Sequence, residues 1–438
     1  MSKSFNQKTM GIILLLLALL SYGLTSCDSS YHYEPPTING IEYNPSLPIT
    51  ISEILPDSGG YKTTFVIKGS NFGTDPSKIR VTFNGNRRAT VVSSDGEVIY
   101  GLVPKQENGN NKVTVQVDST KEPAVCPTTF RYTKVERISV LAGKVGTFGD
   151  TDGNLIDSRF RYMYGVGVVA GNNLIVMEGR DNRVRMVSEN DNKVTTLFTS
   201  ANFGHPAVTR DRKRAYAIQL TRPHQVYYFD QANSWNAKRL VSSLEGVDGD
   251  IYACAFADDD RYLYFRDHQG KFGYFDVQNP EKVTILNEHC GDVDKNVSYL
   301  AWSPIDKCFY LSVQNKQGIY KVSKDGKSVE QWVGFGGVGS QDGPRMTATL
   351  ANPTGMAFDV DGNMYWIDSY AYTIRKLSHA DGMVTTVAGK YRSSDNNKVE
   401  GLPEDVTFNY PYDIAVDDAG DFYIIEGWGG DVRKFAIE

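Results

Sequence analysis

The feature that most constrains the fold is a pattern that occurs twice in the C-terminal part of the chain. The first copy comprises residues 353–369, 373–377 and 384–389, and the second comprises residues 411–426 and 431–435. Both copies consist of short segments rich in β-branched and aromatic residues, separated by Asp-Gly, Ala-Gly or Gly-Gly turns, which predicts antiparallel strands. A single small sheet cannot bury its faces alone, so repeated copies must stack against one another.

Weaker copies begin near Gly165, Pro206, Ile251 and Ser298, which gives six units in total. The last copy stops after its third strand because the sequence ends at Glu438. The segment 138–143 (Ile-Ser-Val-Leu-Ala-Gly) resembles the fourth-strand segment 384–389 (Val-Thr-Thr-Val-Ala-Gly). We therefore predict that residues 138–143 supply the missing fourth strand and close a ring, which removes two exposed sheet edges. An irregular seventh unit, built from the long segments 144–163 and 390–410, is the alternative.

These units resemble NHL repeats, the blades of a β-propeller. The resemblance implies a six-bladed NHL-type β-propeller over residues 136–438.

Residues 49–135 have a different pattern, with short strand-like segments broken by Gly and Asn turns at 63–73, 81–85, 99–104 and 112–117. Together with the opening Ile-x-x-Ile-x-Pro-x-x-Gly-Gly at 51–60, this segment resembles an IPT/TIG domain, which is an immunoglobulin-like sandwich. The resemblance implies a spacer, and the segment contains no candidate catalytic group. The expected fold class is therefore all-β: a TIG sandwich followed by the propeller.

The N-terminus has a basic head with Lys3 and Lys8, an apolar run over 12–20 and small residues before Cys27. The apolar run is too short to span a bilayer. The segment resembles a bacterial lipoprotein signal, which implies that residues 1–26 are removed and that Cys27 is lipidated. A secretory signal with a chance cysteine is the alternative. Residues 27–48 are rich in Pro and form an expected tether, and the expected location is the outer membrane, lipid-anchored at the cell surface.

Charge and cysteine content exclude several classes of function. The net charge is −6, and no basic cluster counters it, so a nucleic-acid partner is not expected. Apart from Cys27, the four cysteines Cys126, Cys254, Cys290 and Cys308 match no metal or redox spacing. Buried positions are expected for them, and the three possible disulfide pairings stay open.

In NHL-type blades, the loop between the second and third strands and the loop before the first strand lie on one face. This places seven aromatic residues in one sector of the ring: Tyr162, Tyr164, Tyr370, Tyr372, Tyr410, Tyr412 and Trp428. Four further residues on the same face have side chains that could bond sugar hydroxyls: Arg180, Asp181, His224 and Asp267. Aromatic rings stack on the apolar faces of sugars, so we interpret this face as a carbohydrate platform. The alternative is that some of the tyrosines pack between blades.

Carboxylates recur at the end of the second strand, at Glu178, Asp368 and Glu426. Three carboxylates around one channel could hold a divalent cation, as in lactonase-like and lyase-like propellers. The favoured interpretation is structural: each carboxylate pairs with the recurring arginine of its blade, at Arg185, Arg375 or Arg433. Neither a metal nor a cofactor is therefore expected.

The order of lipobox, tether, TIG domain and propeller resembles the cell-surface lipoproteins that accompany polysaccharide-uptake systems. The resemblance implies a non-catalytic glycan-binding or scaffold protein whose partner is a polysaccharide or oligosaccharide. Two alternatives stay open. One is a module that docks an outer-membrane transporter, and the other is a metal-dependent lyase or hydrolase.

Overall fold

The computed structural model describes residues 40–437 except 86, 107, 120, 292–296 and 393–397. The predicted signal segment, Cys27 and residues 27–39 of the tether lie outside the described residues. The regular secondary structure of the described part is β-strands and three short 3₁₀-helices (Ala170–Asn172, Gln231–Asn233 and Gln314–Lys316), which confirms the all-β prediction. None of its helices is both long and apolar enough to cross a bilayer. The chain divides into two compact units, one ending near Arg131 and the other containing residues 132–437.

The first unit is built from two antiparallel sheets. Its strands are β1 (Thr50–Leu55), β2 (Ser58–Gly59), β3 (Thr64–Ser70), β4 (Arg80–Phe83), β5 (Arg87–Arg88), β6 (Thr90–Ser94), β7 (Val98–Leu102), β8 (Gly109–Gln116) and β9 (Ala124–Tyr132). One sheet has the order β1-β3-β7-β6 and the other has the order β2-β9-β8-β4-β5. The ring of Phe65 in the first sheet lies 6.0 Å from that of Phe83 in the second, and Phe83 meets Phe130 edge-on at 5.5 Å. These three fully buried rings form the core between the sheets.

The described residues of the second unit form six sheets of four or five strands. Its strands are β10 (Glu136–Gly143), β11 (Met163–Val169), β12 (Asn173–Glu178), β13 (Arg183–Ser188), β14 (Lys193–Thr199), β15 (Ala207–Val208), β16 (Arg214–Ile218), β17 (Val226–Asp230), β18 (Ala237–Val241), β19 (Ile251–Phe256), β20 (Tyr262–Asp267), β21 (Phe272–Asp276), β22 (Asn279–Asn287), β23 (Ser298–Ser303), β24 (Cys308–Val313), β25 (Gly318–Ser323), β26 (Val329–Val333), β27 (Gly343–Pro344), β28 (Pro353–Phe358), β29 (Met364–Asp368), β30 (Thr373–Leu377), β31 (Met383–Gly389), β32 (Pro411–Val416), β33 (Phe422–Glu426) and β34 (Asp431–Ile437).

The first strand of each sheet faces the first strand of the next, and the series returns to its start. In order these inner strands are β11, β15, β19, β23, β28 and β32, and β32 again contacts β11. We number the sheets one to six in this order. The arrangement is propeller-like: in each sheet the first strand lies nearest the axis, and the fourth strand lies toward the outside.

Strand β10 closes this series, as predicted. It pairs antiparallel with β34 from Glu136↔Ile437 to Gly143↔Asp431, and becomes the outer strand of the sixth sheet. Ile138 of this strand is fully buried in a cluster that includes Phe422 and Phe435. The prediction that residues 138–143 supply the fourth strand of the last unit is confirmed.

The long segments between sheets fold back onto existing sheets. In the loop before β28, strand β27 pairs with β31 of the fifth sheet, and Gly153 in the loop before β11 forms a bridge with Val194 of β14. Within the described residues, segments 144–163 and 390–410 form no sheet of their own. The alternative of a seventh unit therefore has no support from the strand pairing.

The four described cysteines are buried and free. Cys254 lies in β19 and Cys308 in β24, where each packs within a hydrophobic cluster. Burial raises the pKa of the Cys254 thiol to about 12, so this thiol stays protonated and behaves as a small apolar side chain. Their expected role as buried core residues is confirmed.

Candidate functional site

The three recurring carboxylates are each paired with an arginine of their own sheet. Glu178 lies 3.3 Å from Arg185, Asp368 lies 3.3 Å from Arg375, and Glu426 lies 2.7 Å from Arg433; all six side chains are fully buried. Among the described residues, no three His, Cys, Asp or Glu side chains come together in a way that could hold a metal ion. The favoured interpretation, in which each carboxylate pairs with the arginine of its own sheet, agrees with these contacts. The alternative of a shared cation has no support within the described residues.

The buried arginines also fasten the long loops to the sheets. Arg185 donates to the Thr151 carbonyl at 2.9 Å and to Asp152 at 2.6 Å. Arg375 makes the same two bonds, to the Gln341 carbonyl and to Asp342. The recurrence of these bonds in the first and fifth sheets shows that the recurring acid and arginine shape the loops of this face.

Burial dominates the electrostatics of these pairs. It raises the pKa of Glu178 to about 7 and that of Asp368 to about 7, although the neighbouring arginine acts in the opposite direction. The loss of water around a carboxylate therefore outweighs the attraction of one nearby cation.

Two residues assigned to ligand contact are instead part of turns. Asp267 is fully buried and accepts hydrogen bonds from the backbone N–H groups of Gly249, Gln269 and Lys271. His224 is 1% exposed, and its Nδ1 lies 3.0 Å from the Gln219 carbonyl. The prediction that these two side chains contact a ligand is corrected, because the turns that hold them also withdraw them from solvent.

The structure gathers five of the predicted tyrosine and tryptophan residues into one surface feature, which we call the aromatic strip. It consists of Phe148, Tyr162, Trp428, Tyr410, Tyr370 and Tyr372. Successive ring centroids are 5.8 Å apart for Phe148–Tyr162, 5.0 Å for Tyr162–Trp428, 6.3 Å for Trp428–Tyr410, and 5.7 Å for Tyr410 with both Tyr370 and Tyr372. Trp428 is 42% exposed and Tyr370 is 49% exposed. Tyr162, Tyr372 and Tyr410 are half-buried, so only part of the strip is open to solvent. Phe148 was not identified from the sequence, and its place in the loop before β11 is the only signal that could have indicated it.

One cation lies on the strip. The Arg180 guanidinium is 4.7 Å from the centroid of the Tyr162 ring and 5.3 Å from that of Trp428, and it also bonds the Tyr164 side chain. Its neighbour Asp181 is 3.7 Å from Arg161. Arg180 is exposed, so its guanidinium is accessible from solvent while it lies over two rings of the strip.

Three tyrosines of the strip have a left-handed backbone. The φ angles are 51° at Tyr162, 58° at Tyr372 and 64° at Tyr410. This conformation is strained for a bulky residue, and Asn or Gly adopts it at much lower cost. Equivalent loop positions in other sheets carry such residues, as at Asn182 before β13 and at Asn352 before β28. The strip therefore uses tyrosine where the backbone alone would favour Asn or Gly.

Tyr164 and Tyr412 lie apart from the strip, at the centre of the ring of sheets. Their rings stack with centroids 5.4 Å apart, and Tyr412 meets Tyr299 edge-on at 5.9 Å. Tyr299 was not identified from the sequence, although it occupies the second position of its inner strand, as Tyr164 and Tyr412 do. Aligning the weaker repeats at that position would have found it.

Comparison with known proteins gives a family and a fold. The sequence model of the IPT/TIG domain family matches residues 48–132, in agreement with the resemblance stated for this segment. A crystal structure of a protein of unknown function from Bacteroides thetaiotaomicron is 36% identical, with a TM-score of 0.84, and the match covers 91% of this chain and 100% of that one.

Two further structures share the fold. Both carry the description auxiliary nutrient binding protein. One, from Bacteroides thetaiotaomicron, is 21% identical with a TM-score of 0.59, and the match covers 91% of this chain and 99% of that one. The other, from Bacteroides ovatus, is 23% identical with a TM-score of 0.60, and the match covers 91% and 100% of the two chains.

Proposed function

The chain belongs to the same family as the 36% identical Bacteroides thetaiotaomicron protein, and on that premise we propose that it is a non-catalytic glycan-binding protein of a nutrient-uptake system. We propose that Cys27 carries a lipid anchor to the outer membrane. The second unit would be a six-bladed NHL-type β-propeller that binds glycans through the aromatic strip. Two proteins of the same fold are described as auxiliary nutrient binding proteins, which supports an accessory role in uptake.

The observation that carries this proposal is the aromatic strip itself, in which exposed rings lie beside tyrosines that have a left-handed backbone. Each left-handed tyrosine costs on the order of 1 kcal/mol or more, a cost that an Asn at the same position would largely avoid. Tyr370 and Trp428, which lie next to these tyrosines in the strip, are nearly half exposed, so packing does not explain the two exposed rings. Strain retained beside exposed rings supports a binding role for this surface.

The chemistry of the strip suits a saccharide. A sugar ring has apolar C–H faces, which stack on aromatic rings, and a rim of hydroxyls, which need hydrogen-bond partners. The rings of Tyr370, Tyr410 and Trp428 supply the stacking faces, and Arg180 and the tyrosine hydroxyls supply the polar groups. The rings form a connected series with neighbouring centroids 5.0 to 6.3 Å apart, which offers an extended chain of sugars more than one stacking position.

Affinity gel electrophoresis tests the proposal. The protein is run through gels that contain starch, dextran, levan, xylan or polygalacturonate, and retardation measures the dissociation constant. Trp428→Ala should weaken binding to the retarding polysaccharide by about tenfold or more, because it removes the central ring of the strip.

Trp332→Ala is the matched control. Trp332 also lies beneath a guanidinium, that of Arg345 at 3.9 Å, but it belongs to β26 of the fourth sheet and not to the strip. This variant should be retarded as the unmodified protein is. Equal retardation of Trp428→Ala and Trp332→Ala, or no retardation by any of the five polysaccharides, would contradict the proposal.

A further inference from the structure

The inner strands bring six equivalent residues together around the axis of the second unit. We call them the axial ring: Tyr164, His205, Tyr252, Tyr299, Thr354 and Tyr412. Five of them are the second residue of their inner strand, and His205 precedes β15 by two positions. The strand pairing skips a residue at Tyr164 and Tyr412, and also around Tyr252 and Thr354, so these four lie at bulges in the ladder.

The axial ring is closed on one side. Tyr299 of the fourth sheet donates its hydroxyl to the Tyr164 carbonyl of the first sheet at 2.9 Å. Because sheets one and four are on opposite sides of the ring, this side chain crosses the axis. Tyr299 is 1% exposed and Thr354 is fully buried, whereas Tyr164, Tyr252 and Tyr412 are each partly exposed. The Tyr299 side chain therefore blocks the axis, and we call the space that the three partly exposed tyrosines border the recess.

A histidine and a buried carboxylate make one wall of this recess. His205 Nδ1 lies 2.6 Å from Asp413 Oδ2, and Asp413 also accepts from the Val166 N–H at 2.9 Å. Asp413 is fully buried, while the His205 side chain is 18% exposed. The Nδ1–H group donates a hydrogen bond to the carboxylate. Nε2, on the opposite side of the imidazole, is therefore left to bond another group.

The recess has further polar groups that can bond a ligand. The hydroxyls of Tyr164 and Tyr252 both donate and accept hydrogen bonds. Gln314 lies beside Tyr412, and its side-chain amide hydrogen-bonds the Tyr412 hydroxyl. Stacking rings together with hydroxyl, imidazole and amide groups suit a single sugar unit.

Arg180 joins the recess to the aromatic strip. It lies over Tyr162 and Trp428 of the strip and bonds Tyr164 of the axial ring. We propose that the axial ring is a second carbohydrate site, which takes the terminal sugar of a chain whose following units lie along the strip. This inference rests on the proposed function. Because Tyr299 blocks the axis, the recess admits the end of a chain and excludes its interior, so binding is to chain ends.

The stoichiometry of binding tests this directly. The polysaccharide that retards the protein is separated into a short and a long size fraction, and isothermal titration gives the number of protein molecules bound to each chain. End recognition predicts one protein per chain in both fractions. A number that rises with chain length would overturn the inference and leave the glycan-binding proposal standing.

Two variants test the residues. Tyr252→Phe removes one hydroxyl and keeps the ring, and His205→Asn removes the imidazole; each should weaken binding of the short fraction by about tenfold, a typical loss for one or two hydrogen bonds. Tyr227→Phe is the control, because the Tyr227 hydroxyl bonds Gln225 in the second sheet, outside the axial ring. If Tyr252→Phe and His205→Asn both bind as Tyr227→Phe does while Trp428→Ala is impaired, the recess is not a site.

Discussion

Removing the side chain of Ile138 tests whether the first strand of the second unit holds the ring of sheets together. Ile138 is fully buried among Ile414, Phe422 and Phe435, and its backbone also exchanges two hydrogen bonds of 2.9 Å with Gly401. Ile138→Ala removes three buried carbon atoms, which contribute about 0.8 kcal/mol each, and leaves a cavity in a cluster of rigid rings. We expect the free energy of unfolding to fall by about 3 kcal/mol.

Tryptophan fluorescence during urea unfolding measures this loss selectively. All five tryptophans, at positions 235, 302, 332, 366 and 428, belong to the second unit, so the signal does not report on the first. Ile138→Val should cost about 1 kcal/mol, because it removes a single methylene. Arg137→Ala changes an exposed side chain of the same strand and should stay within about 0.5 kcal/mol of the unmodified protein. If Ile138→Ala is no less stable than Arg137→Ala, strand β10 does not close the ring.

Two further predictions concern strain and pH. Tyr410→Asn and Tyr410→Ala both remove the ring, but Asn tolerates the left-handed backbone at this position. In urea unfolding, Tyr410→Asn should therefore be more stable than Tyr410→Ala by about 1 kcal/mol. Equal stabilities of the two variants would contradict the assignment of strain. Burial raises the pKa of Glu178 to about 7, whereas a carboxyl in an unfolded chain titrates near pH 4. The folded state therefore binds more protons across this window, and stability should fall as pH rises from about 4 to about 7. The free energy of unfolding of Glu178→Gln should fall less over this pH range. If its dependence on pH equals that of the unmodified protein, Glu178 does not titrate in this range.

The closure by β10 could be predicted because one short segment of the sequence resembles a strand that another unit already has. The segments 138–143 and 384–389 share a pattern of alternating side chains that ends in Ala-Gly, and a strand with that pattern fits the same outer position in any of the sheets. The last unit lacked this strand, so the edge of its sheet would have presented backbone N–H and C=O groups without hydrogen-bond partners. A copy of the missing strand elsewhere in the chain was therefore sufficient evidence.

The division of the tyrosines into two groups could not be predicted in the same way. Tyr162 and Tyr164 are two residues apart, and a regular strand would place them on one side. The left-handed turn at Tyr162 and the bulge at Tyr164 break this alternation, so one ring joins the strip and the other faces the axis. Sequence patterns report regular geometry, and here the two proposed binding surfaces are separated by two irregular residues.

The errors at Asp267 and His224 have a related cause. A polar residue in a loop was taken to be exposed, yet a tight turn has backbone N–H groups that need acceptors. Asp267 accepts three of them, and this withdraws its carboxylate from solvent. Whether a loop acid faces water or caps a turn depends on the path of the backbone, which the sequence of a weak repeat does not specify.

Arg185 and Arg180 differ in how much free energy it costs to move them. Arg185 is buried between two carboxylates, so moving it would expose uncompensated charge at a cost of several kcal/mol. Arg180 rests on two aromatic rings at the surface, where each contact contributes only about 0.5 to 1 kcal/mol. The strained tyrosines are already ordered before any ligand arrives, which lowers the entropy lost on binding. In the proposed complex, Arg180 would turn from the rings toward the sugar at small cost, and this would uncover the Trp428 face for stacking.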